Sequence, residues 1–474
     1  MVFSSYVFVF VFLPVTVAGY FLLSKHRDGR WQRVFLILAS LVFYGWFNPS
    51  YLLIITGSIL GNYAVSGLLT RGRGAFKKPL LLAGVLFNLG LLGYFKYTDF
   101  FIGNLNALFQ TDLALRNIVL PLGISFFTFQ QFSFLIAVYQ GKSRSEGFLD
   151  YCLFVLFFPQ LVAGPIVLYE EMMPQFLDQK RRYIDWDNMA RGVYLFVIGL
   201  FLKAVLADSA ALIVDNGFSS DSLGLLPAWC TMLAYTTQIY FDFCGYATMS
   251  MGLGLMFNID IPLNFNRPNR AISISDFWRR WHLTLGRALS TYVYFPLGGS
   301  RRGMARTCLN LFVTFLISGI WHGASWTFVV WGMCHGALVV TERLFRTKLE
   351  RIPSPIRYAG TFLTVGTLRV LFRAESFRQA ATVWRGMVNF RDIGLEAVSA
   401  LGVDGLIGFP AGVRAGYVLL LVAGLVWFAI ASRSARERLA RFSFSRAQIA
   451  GTTLLFVLSV IHLARESVFI YFNF

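Results

Sequence analysis

Apolar runs of near 20 residues recur along the chain, for example at residues 5–23 and 413–430. A helix needs about 20 apolar residues to cross a bilayer. In lipid the backbone must satisfy its own hydrogen bonds, so only helices and closed barrels span membranes, and barrel strands are shorter and alternate in polarity. Only 14% of the residues are charged, against about a quarter in soluble domains. The sequence predicts an all-α polytopic integral membrane protein, a single transmembrane domain over residues 1–474 with about 11 to 12 membrane segments.

The net charge of +18 comes from 42 Lys and Arg against 24 Asp and Glu. The basic residues cluster in short loops between apolar runs, as at residues 24–33 and 432–446. Cytoplasmic loops of membrane proteins carry this excess of Lys and Arg. We therefore expect a multi-pass protein with a periplasmic N-terminus, whose charge meets the lipid bilayer and not nucleic acid. The run at residues 5–23 lacks a preceding basic region, so we expect a retained first helix.

Five cysteines lie in or beside apolar runs without Cys-x-x-Cys spacing, and no His-Glu-x-x-His motif is present. The pattern argues against a disulfide framework or a zinc site. We therefore expect no metal site and no tightly bound cofactor. A cysteine nucleophile is not expected either, because buried thiols are usually inert.

Residues 151–176 form an apolar run that Pro159, Gly164 and Pro165 interrupt. Charges flank the run without a clear change of side. The pattern predicts a broken or re-entrant helix, which survives at membrane depth only where protein or a water-filled cavity shields it.

A histidine, His322, stands inside the apolar stretch "GIWHGASW". An ionisable residue in a membrane is costly and usually faces a cavity or the bundle interior. Basic residues flank residues 308–340 on both sides, and the arm at residues 308–320 would be about 20 Å long as a helix, short of a hydrocarbon core of about 30 Å. We expect either a short hairpin with His322 near its tip or one continuous helix. His335, 13 residues on, is predicted to be structural.

The stretch "SDFWRRWH" follows a polar segment. Ser273 and Asp276 match a capping box, which predicts one amphipathic interfacial helix from near Asp276 onward. Its apolar face would carry Trp281 and His282. Arg279 and Arg280 lie away from that face and could meet an anionic donor group; a plain membrane-surface anchor is the competing interpretation.

Three further charged residues lie in apolar runs, namely Lys203, Asp208 and Asp242. They could pair with one another or line a pathway, and a structural ion pair is the safer expectation.

Two long motifs resemble a known family. Residues 240–303, with "YFDFCGY" and "SDFWRRWHLTLGR", and residues 319–336, with "GIWHGASW", look like the membrane-bound O-acyltransferases of the bacterial alginate O-acetyltransferase type. Cys244 and Ala247 depart from it where that motif has serines. The resemblance implies a multi-helix fold around a buried channel, with residues 240–340 as the catalytic core. It places the family's catalytic histidine on His322 and its second histidine motif on His282.

The resemblance also implies acetyl transfer for modification of an exopolysaccharide outside the inner membrane of a bacterial cell. A base must remove the acceptor's hydroxyl proton, and histidine suits this task. We expect His322 to activate the hydroxyl, and His282 to orient substrate or support the oxyanion. Whether an acetyl-histidine intermediate forms stays open. Candidates for substrate or donor binding share a place beside these histidines or in a membrane interior: Arg279, Arg280, Trp281, Asp242, Trp321 and Ser325.

The expected donor is acetyl-CoA, reached from the cytoplasm beside Arg279, Arg280 and Arg301. The expected partners are a periplasmic acetyltransferase or acetyl-accepting proteins of the polysaccharide machinery. The polymer would be alginate, or cellulose because the chain is short near its C-terminal end for an alginate enzyme. Two other classes stay open: a transporter or flippase of an acyl carrier or polymer precursor, and a membrane scaffold for a separate acetyltransferase.

Overall fold

The computed structural model describes residues 1–26, 28–72, 74–143, 147–402 and 410–464. Within these ranges the regular structure is entirely helical. The helices satisfy backbone hydrogen bonds within each segment, which is the requirement that lipid imposes.

The α-helices are, in chain order, α1 (Leu13–Leu22), α2 (Arg30–Gly45), α3 (Ser50–Arg71), α4 (Lys77–Leu92), α5 (Thr98–Phe109), α6 (Ile124–Tyr139), α7 (Phe148–Leu156), α8 (Phe158–Leu161), α9 (Tyr169–Leu177), α10 (Trp186–Phe201), α11 (Asp208–Ser219), α12 (Leu225–Met256), α13 (Ile274–Trp278), α14 (Leu283–Leu289), α15 (Gly303–His322), α16 (Trp326–Leu344), α17 (Arg346–Leu349), α18 (Ser354–Arg373), α19 (Phe377–Met387), α20 (Leu395–Ala400), α21 (Ala411–Ala431), α22 (Ala435–Ala440) and α23 (Arg446–His462). Short π-helical segments occur at Phe8–Phe12, Gly93–Tyr97, Leu202–Ala207 and Ser290–Tyr294, and 3₁₀ segments at Leu23–Lys25, Gly74–Phe76, Gln179–Arg182 and Pro268–Arg270.

Six helical stretches of the described chain are long and apolar enough to cross a membrane, namely Phe8–Lys25, Ser50–Arg71, Gly74–Phe109, Trp186–Ser219, Gly303–His322 and Ala411–Ala431. Ile124–Tyr139 and Arg446–His462 are shorter apolar helices. The predicted all-α, multi-pass membrane protein is therefore confirmed. The predicted total of about 11 to 12 segments includes shorter and broken helices and stays a prediction.

The described residues group into two compact units. Unit 1 consists of Met1–Ile198, Tyr246–Pro262 and Ile449–Thr452, and unit 2 of the described residues within Gly199–Gly245, Leu263–Gln448 and Thr453–Phe474. Both histidine motifs lie in unit 2. The single domain over residues 1–474 stays a prediction.

The predicted broken helix is confirmed within unit 1. The run at residues 151–176 contains the end of α7, the single turn α8, an irregular stretch and most of α9. A Cβ at Gly164 would lie 2.4 Å from the Cα of Gln160, so only glycine fits this close approach. Residues 151–167 are all buried, which meets the condition for irregular backbone at membrane depth.

The helices α15 and α16 of unit 2 form an antiparallel hairpin. The chain reverses at residues 323–325, and α15 packs so closely on α16 that a Cβ at Gly319 would lie 2.4 Å from the Phe328 carbonyl oxygen. Small residues permit such close packing of membrane helices. The continuous-helix alternative is therefore wrong and the hairpin is confirmed.

The predicted short first arm of that hairpin is wrong. The helix begins at Gly303 and ends at His322, and its 20 residues correspond to about 30 Å, the thickness of the hydrocarbon core. The change from polar residues such as Arg306 and Thr307 to apolar residues suggested a helix start near residue 308. The polar residues are themselves helical, so the helix starts earlier than the change of polarity. His322 is the last residue of this membrane-length helix.

The predicted continuous helix from near Asp276 is also wrong. The chain forms α13, breaks, and resumes as α14, with His282 in the left-handed region at φ +48°. This conformation is uncommon for residues other than glycine. It is stabilised by the non-helical segment that carries Asn264, because the Leu283 amide donates to the Asn264 carbonyl over 3.0 Å. Tertiary hydrogen bonding therefore overrides the helical spacing of the sequence.

One of the two hydrogen bonds of the predicted capping box at Ser273 is confirmed. The Ser273 hydroxyl accepts from the Asp276 amide over 3.1 Å, but the Asp276 carboxylate accepts from the Ile272 amide over 3.2 Å. The helix consequently begins at Ile274, two residues before the predicted start.

Candidate active site

Two buried histidines from different elements of unit 2 lie side by side. His322 ends α15, and His282 occupies the break between α13 and α14. Their ring centres are 6.5 Å apart, and their relative exposures are 3% and 1%. The structure therefore brings together the two histidines predicted as catalytic.

The hydrogen bonding of His282 defines its tautomer. Its Nδ1 lies 3.1 Å from Asn264 Oδ1, and the same oxygen accepts from the backbone amide of Thr284 over 3.3 Å and from its hydroxyl over 2.9 Å. Because a backbone amide can only donate, the Asn264 atom at this point is the carbonyl oxygen. His282 Nδ1 consequently carries the proton, and Nε2 carries a lone pair.

This Nε2 is positioned to receive a proton or a hydrogen bond. It is buried and has no hydrogen-bond partner in the described part of the chain. His282 lies outside the six membrane-length stretches, and burial lowers its pKa to about 3. The imidazole is therefore neutral near pH 7. In this tautomer its free nitrogen accepts a hydrogen bond and does not donate one. A role of His282 in orienting substrate or supporting an oxyanion stays a prediction.

Aromatic rings hold His322 on several sides. The rings of Trp321, Trp331 and Phe372 lie with their centres 5.0, 5.3 and 5.1 Å from its own. A Cβ at the following residue, Gly323, would lie 2.2 Å from Phe328, so glycine is needed where the helix ends. The rigid surroundings fix the orientation of the imidazole.

His335 has a structural partner. The Trp278 indole donates to its Nδ1 over 3.2 Å, in agreement with the predicted structural role. The described residues contain no group of three or more His, Cys, Asp or Glu side chains placed to hold a metal ion.

A cavity of about 1130 Å³ opens beside His282. Ser318, four residues before His322 on α15, also lines it. Arginines dominate its charged lining: Arg279, Arg280, Arg287, Arg343, Arg346 and Arg357 stand against Asp276, Glu342 and Glu350. The volume exceeds the upper end of the usual ligand range of about 300–1,000 Å³. The cavity can hold a large anionic molecule whose reactive end approaches His282.

The predicted binding residues occupy different places. Arg279 and Arg280 line the large cavity, where the Arg280 guanidinium also pairs with Asp276 over 2.8 Å. Arg301 is exposed and does not line it. Trp321 packs on His322. Their roles in substrate binding stay predictions.

Two further candidates have structural partners. The Ser325 hydroxyl caps α16 by accepting from the Thr327 amide over 3.3 Å. Asp242 Oδ1 lies 2.7 Å from Lys203 Nζ, which lies 2.8 Å from Asp208 Oδ1. The expected pairing of the intramembrane charges is therefore confirmed. Any role of Ser325 or Asp242 in substrate binding stays a prediction.

The ion triad of Lys203, Asp208 and Asp242 is connected to His282 through Phe243. Asp242 immediately precedes Phe243, whose ring meets that of His282 edge-on with 4.8 Å between centres. Lys203 is carried by the π-helical segment Leu202–Ala207. The triad ties this segment to α12 at the level where α12 contacts His282.

Sequence reasoning missed Asn264, Trp331 and Arg369. Arg369 is 5% exposed, and its guanidinium carbon lies 4.6 Å from the ring centre of Trp281. A signal existed, because Arg369 is a charge in the middle of an apolar run. Asn264 carries no such signal, since its importance arises only when the chain folds back on His282.

The model of the MBOAT, membrane-bound O-acyltransferase family, matches residues 8–358. The chain belongs to this family. Membrane-bound O-acyltransferases are acyltransferases, so the protein is an enzyme of that class, as the two histidine motifs suggested.

Three relatives are named for related reactions. The chain is 42% identical over 427 residues to a peptidoglycan O-acetyltransferase of Helicobacter pylori, covering 83% of this chain and 81% of the relative. It is 37% identical over 441 residues to a probable alginate O-acetylase of Pseudomonas aeruginosa, covering 90% and 82%. It is 27% identical over 253 residues to a teichoic acid D-alanyltransferase of Bacillus subtilis, covering 50% and 64%.

Proposed function

We propose that this acyltransferase moves acetyl groups from a cytoplasmic thioester to a hydroxyl on the outer side of the cytoplasmic membrane, for O-acetylation of a glycan. The observation that carries the proposal is the pair of buried imidazoles, His282 and His322, of which His282 lines an arginine-rich cavity. The names of the relatives support acetyl as the group and a glycan as the final acceptor.

Acetyl-CoA is the proposed donor. Its phosphates are anionic, and arginine forms charge-assisted, often bidentate hydrogen bonds with phosphate. Arg279 and Arg280 line the same cavity as His282, so the thioester would reach the histidines while the phosphates stay among the arginines. The excess of Lys and Arg in the loops supports a cytoplasmic location for this side of the protein and a periplasmic N-terminus.

The proposed chemistry uses the space between the two rings. A hydroxyl that donates its one hydrogen to a nitrogen of His322 over about 2.8 Å would lie near His282, since the ring centres are 6.5 Å apart. His322 takes the proton of the acceptor hydroxyl, whose oxygen bonds to the acetyl carbonyl carbon. The carbon–sulfur bond then breaks and the proton passes to the leaving thiolate. His282 accepts a hydrogen bond through Nε2 and holds the reacting groups in place.

The immediate acceptor is proposed to be a hydroxyl of a periplasmic acetyltransferase or an acetyl-accepting protein, which then modifies the polymer. Peptidoglycan and alginate are the polymers in the relatives' names. Membership of an acyltransferase family favours this function over a transporter, a flippase or a scaffold. Cellulose stays a prediction from the sequence.

The test follows labelled acetyl groups. The purified full-length protein is incubated with acetyl-labelled CoA and with peptidoglycan fragments, mannuronate oligomers or cello-oligosaccharides, each with and without candidate periplasmic proteins. We expect transfer that His322→Ala abolishes and His462→Ala leaves intact, because His462 lies half-buried on α23 and its Nδ1 lies 2.8 Å from the Leu458 carbonyl oxygen of the same helix. Transfer by folded His322→Ala at the native rate contradicts the proposal, as does a native protein that uses no acetyl-CoA.

A further inference from the structure

A second, small cavity lies beside His322. It has a volume of about 20 Å³, enough for about one water-sized oxygen atom. The residues around it are mostly aromatic: Ile239, Phe277, Trp278, Trp281, His322, Trp331, His335, Val365, Arg369 and Phe372. His282 is not among them, so the small cavity lies on the His322 side of the pair.

Trp331 brings an unused hydrogen-bond donor to this cavity. It is 5% exposed, and its indole Nε1 has no acceptor in the part of the chain that the structure describes. A buried donor without an acceptor is unfavourable, because it has lost its hydrogen bond to water without replacement. The neighbouring Trp278 differs, because its indole already donates to His335. The Trp331 indole N–H can therefore donate a hydrogen bond to an acceptor atom of a substrate.

Arg369 brings a positive charge to the same cavity. Its Nη1 donates to the Thr236 carbonyl over 3.2 Å, and its guanidinium lies over the rings of Trp281 and Phe277. A buried positive charge favours a ligand group that carries or develops negative charge. The stacked rings hold the guanidinium in one plane beside His322.

We propose that this cavity is the oxyanion site of acetyl transfer, with Trp331 and Arg369 as catalytic residues that donate hydrogen bonds to the acetyl carbonyl oxygen. The inference rests on the proposed function. When the acceptor oxygen bonds to the carbonyl carbon, the carbonyl electron pair moves onto its oxygen. That pair returns when the carbon–sulfur bond breaks, and the hydroxyl proton passes through His322 to sulfur. In the tautomer assigned to His282, its Nε2 has no hydrogen to donate to this oxygen.

The two donors match what an oxyanion needs. Preorganised donors in a water-excluded site stabilise developing negative charge, and loss of one costs about 10²–10³ in kcat. The cavity holds an oxygen atom but not a whole acetyl group, so the carbonyl oxygen would enter it while the rest of the thioester stays outside. Both donors lie on helices of unit 2, which fixes them before substrate arrives.

The test removes one N–H at a time. In the labelled acetyl-CoA assay, Trp331→Phe should lower kcat about 100-fold and change the KM for acetyl-CoA less than threefold. The matched control is Trp229→Phe, whose indole donates to the Met387 carbonyl away from the cavity and should keep native kcat. If Trp331→Phe unfolds the protein, Trp331 is replaced by benzothienylalanine instead. This residue keeps the shape of the indole ring and lacks its N–H.

The role of Arg369 is tested by removing or keeping its positive charge. Arg369→Met should lower kcat about 100-fold, and Arg369→Lys should restore part of the loss, because lysine retains a donor and a charge but not the planar fork. Native kcat in folded Trp331→Phe and Arg369→Met overturns the oxyanion site and leaves the proposed function standing. Absence of any His322-dependent transfer by the native protein overturns both.

Discussion

The imidazoles of His282 and His322 lie 6.5 Å apart, although 40 residues separate them along the chain. One closes a membrane-length helix, and the other interrupts a shorter pair of helices at a left-handed residue. Neither element could place both rings by itself. The reacting groups must therefore meet where the hairpin α15–α16 and the break after α13 come together.

Substitution of the two histidines should give non-additive losses. His322→Gln should lower kcat by at least 100-fold, because general base catalysis supplies about 10²–10⁴. His282→Gln should cause a similar loss, because it removes the hydrogen-bond acceptor that holds the reacting groups beside His322. The double variant should lose no more than the worse single variant, as groups that act as one unit do. Single-turnover acetyl transfer measures this. Losses that multiply in the double variant would show that the rings act separately.

Asn264→Asp should shift the pH dependence of acetyl transfer. Burial lowers the pKa of His282 to about 3, so its Nε2 stays free of a proton at all ordinary pH values. A carboxylate at position 264 favours the imidazolium and raises that pKa. Below the raised pKa, His282 is protonated at Nε2 and cannot accept a hydrogen bond. As the pH is lowered, activity should therefore be lost at a higher pH in Asn264→Asp than in the native protein. Identical profiles of kcat/KM from pH 5 to 8 would contradict the tautomer assignment.

Lys203→Met should destabilise unit 2 severely. The substitution leaves Asp208 and Asp242 buried beside each other without their cation. Removal of one partner from a buried ion pair costs about 3–5 kcal/mol. Thermal unfolding in detergent should show a large loss, which Asp208→Asn combined with Asp242→Asn should partly reverse. An unfolding temperature within 2 °C of the native value would contradict a structural role of the triad.

The sequence predicted what depends on composition and on long motifs. The apolar runs predicted a helical membrane protein, and the basic flanks of residues 308–340 predicted the hairpin. It failed where partners distant in the chain decide the local structure. The amide of Leu283 bonds to Asn264 and breaks the predicted helix at His282, and no local spacing reveals this. Trp331 likewise looks like an ordinary core aromatic until the small cavity is seen.

Gly319→Ala should misplace His322. The added Cβ would lie 2.4 Å from the Phe328 carbonyl oxygen across the hairpin, so α15 and α16 must separate. Overpacking of this kind costs about 1–3 kcal/mol, and it should lower kcat because His322 lies three residues further along. Gly424→Ala on α21 is the matched control, since a Cβ there meets nothing within 4 Å. Equal kcat and equal thermal stability of the two variants would contradict the close packing.

Arg279→Gln should weaken donor binding without affecting chemistry. Arg279 lines the large cavity, whereas Arg301, which the sequence also predicts to meet the donor, is exposed and does not. We expect the KM for acetyl-CoA to rise about tenfold in Arg279→Gln, because loss of a hydrogen bond to a charged group costs about 1.5–3 kcal/mol, with kcat unchanged. Arg301→Gln carries the same loss of charge and should keep the native KM. A rise in KM for Arg301→Gln and none for Arg279→Gln would move the donor site out of this cavity.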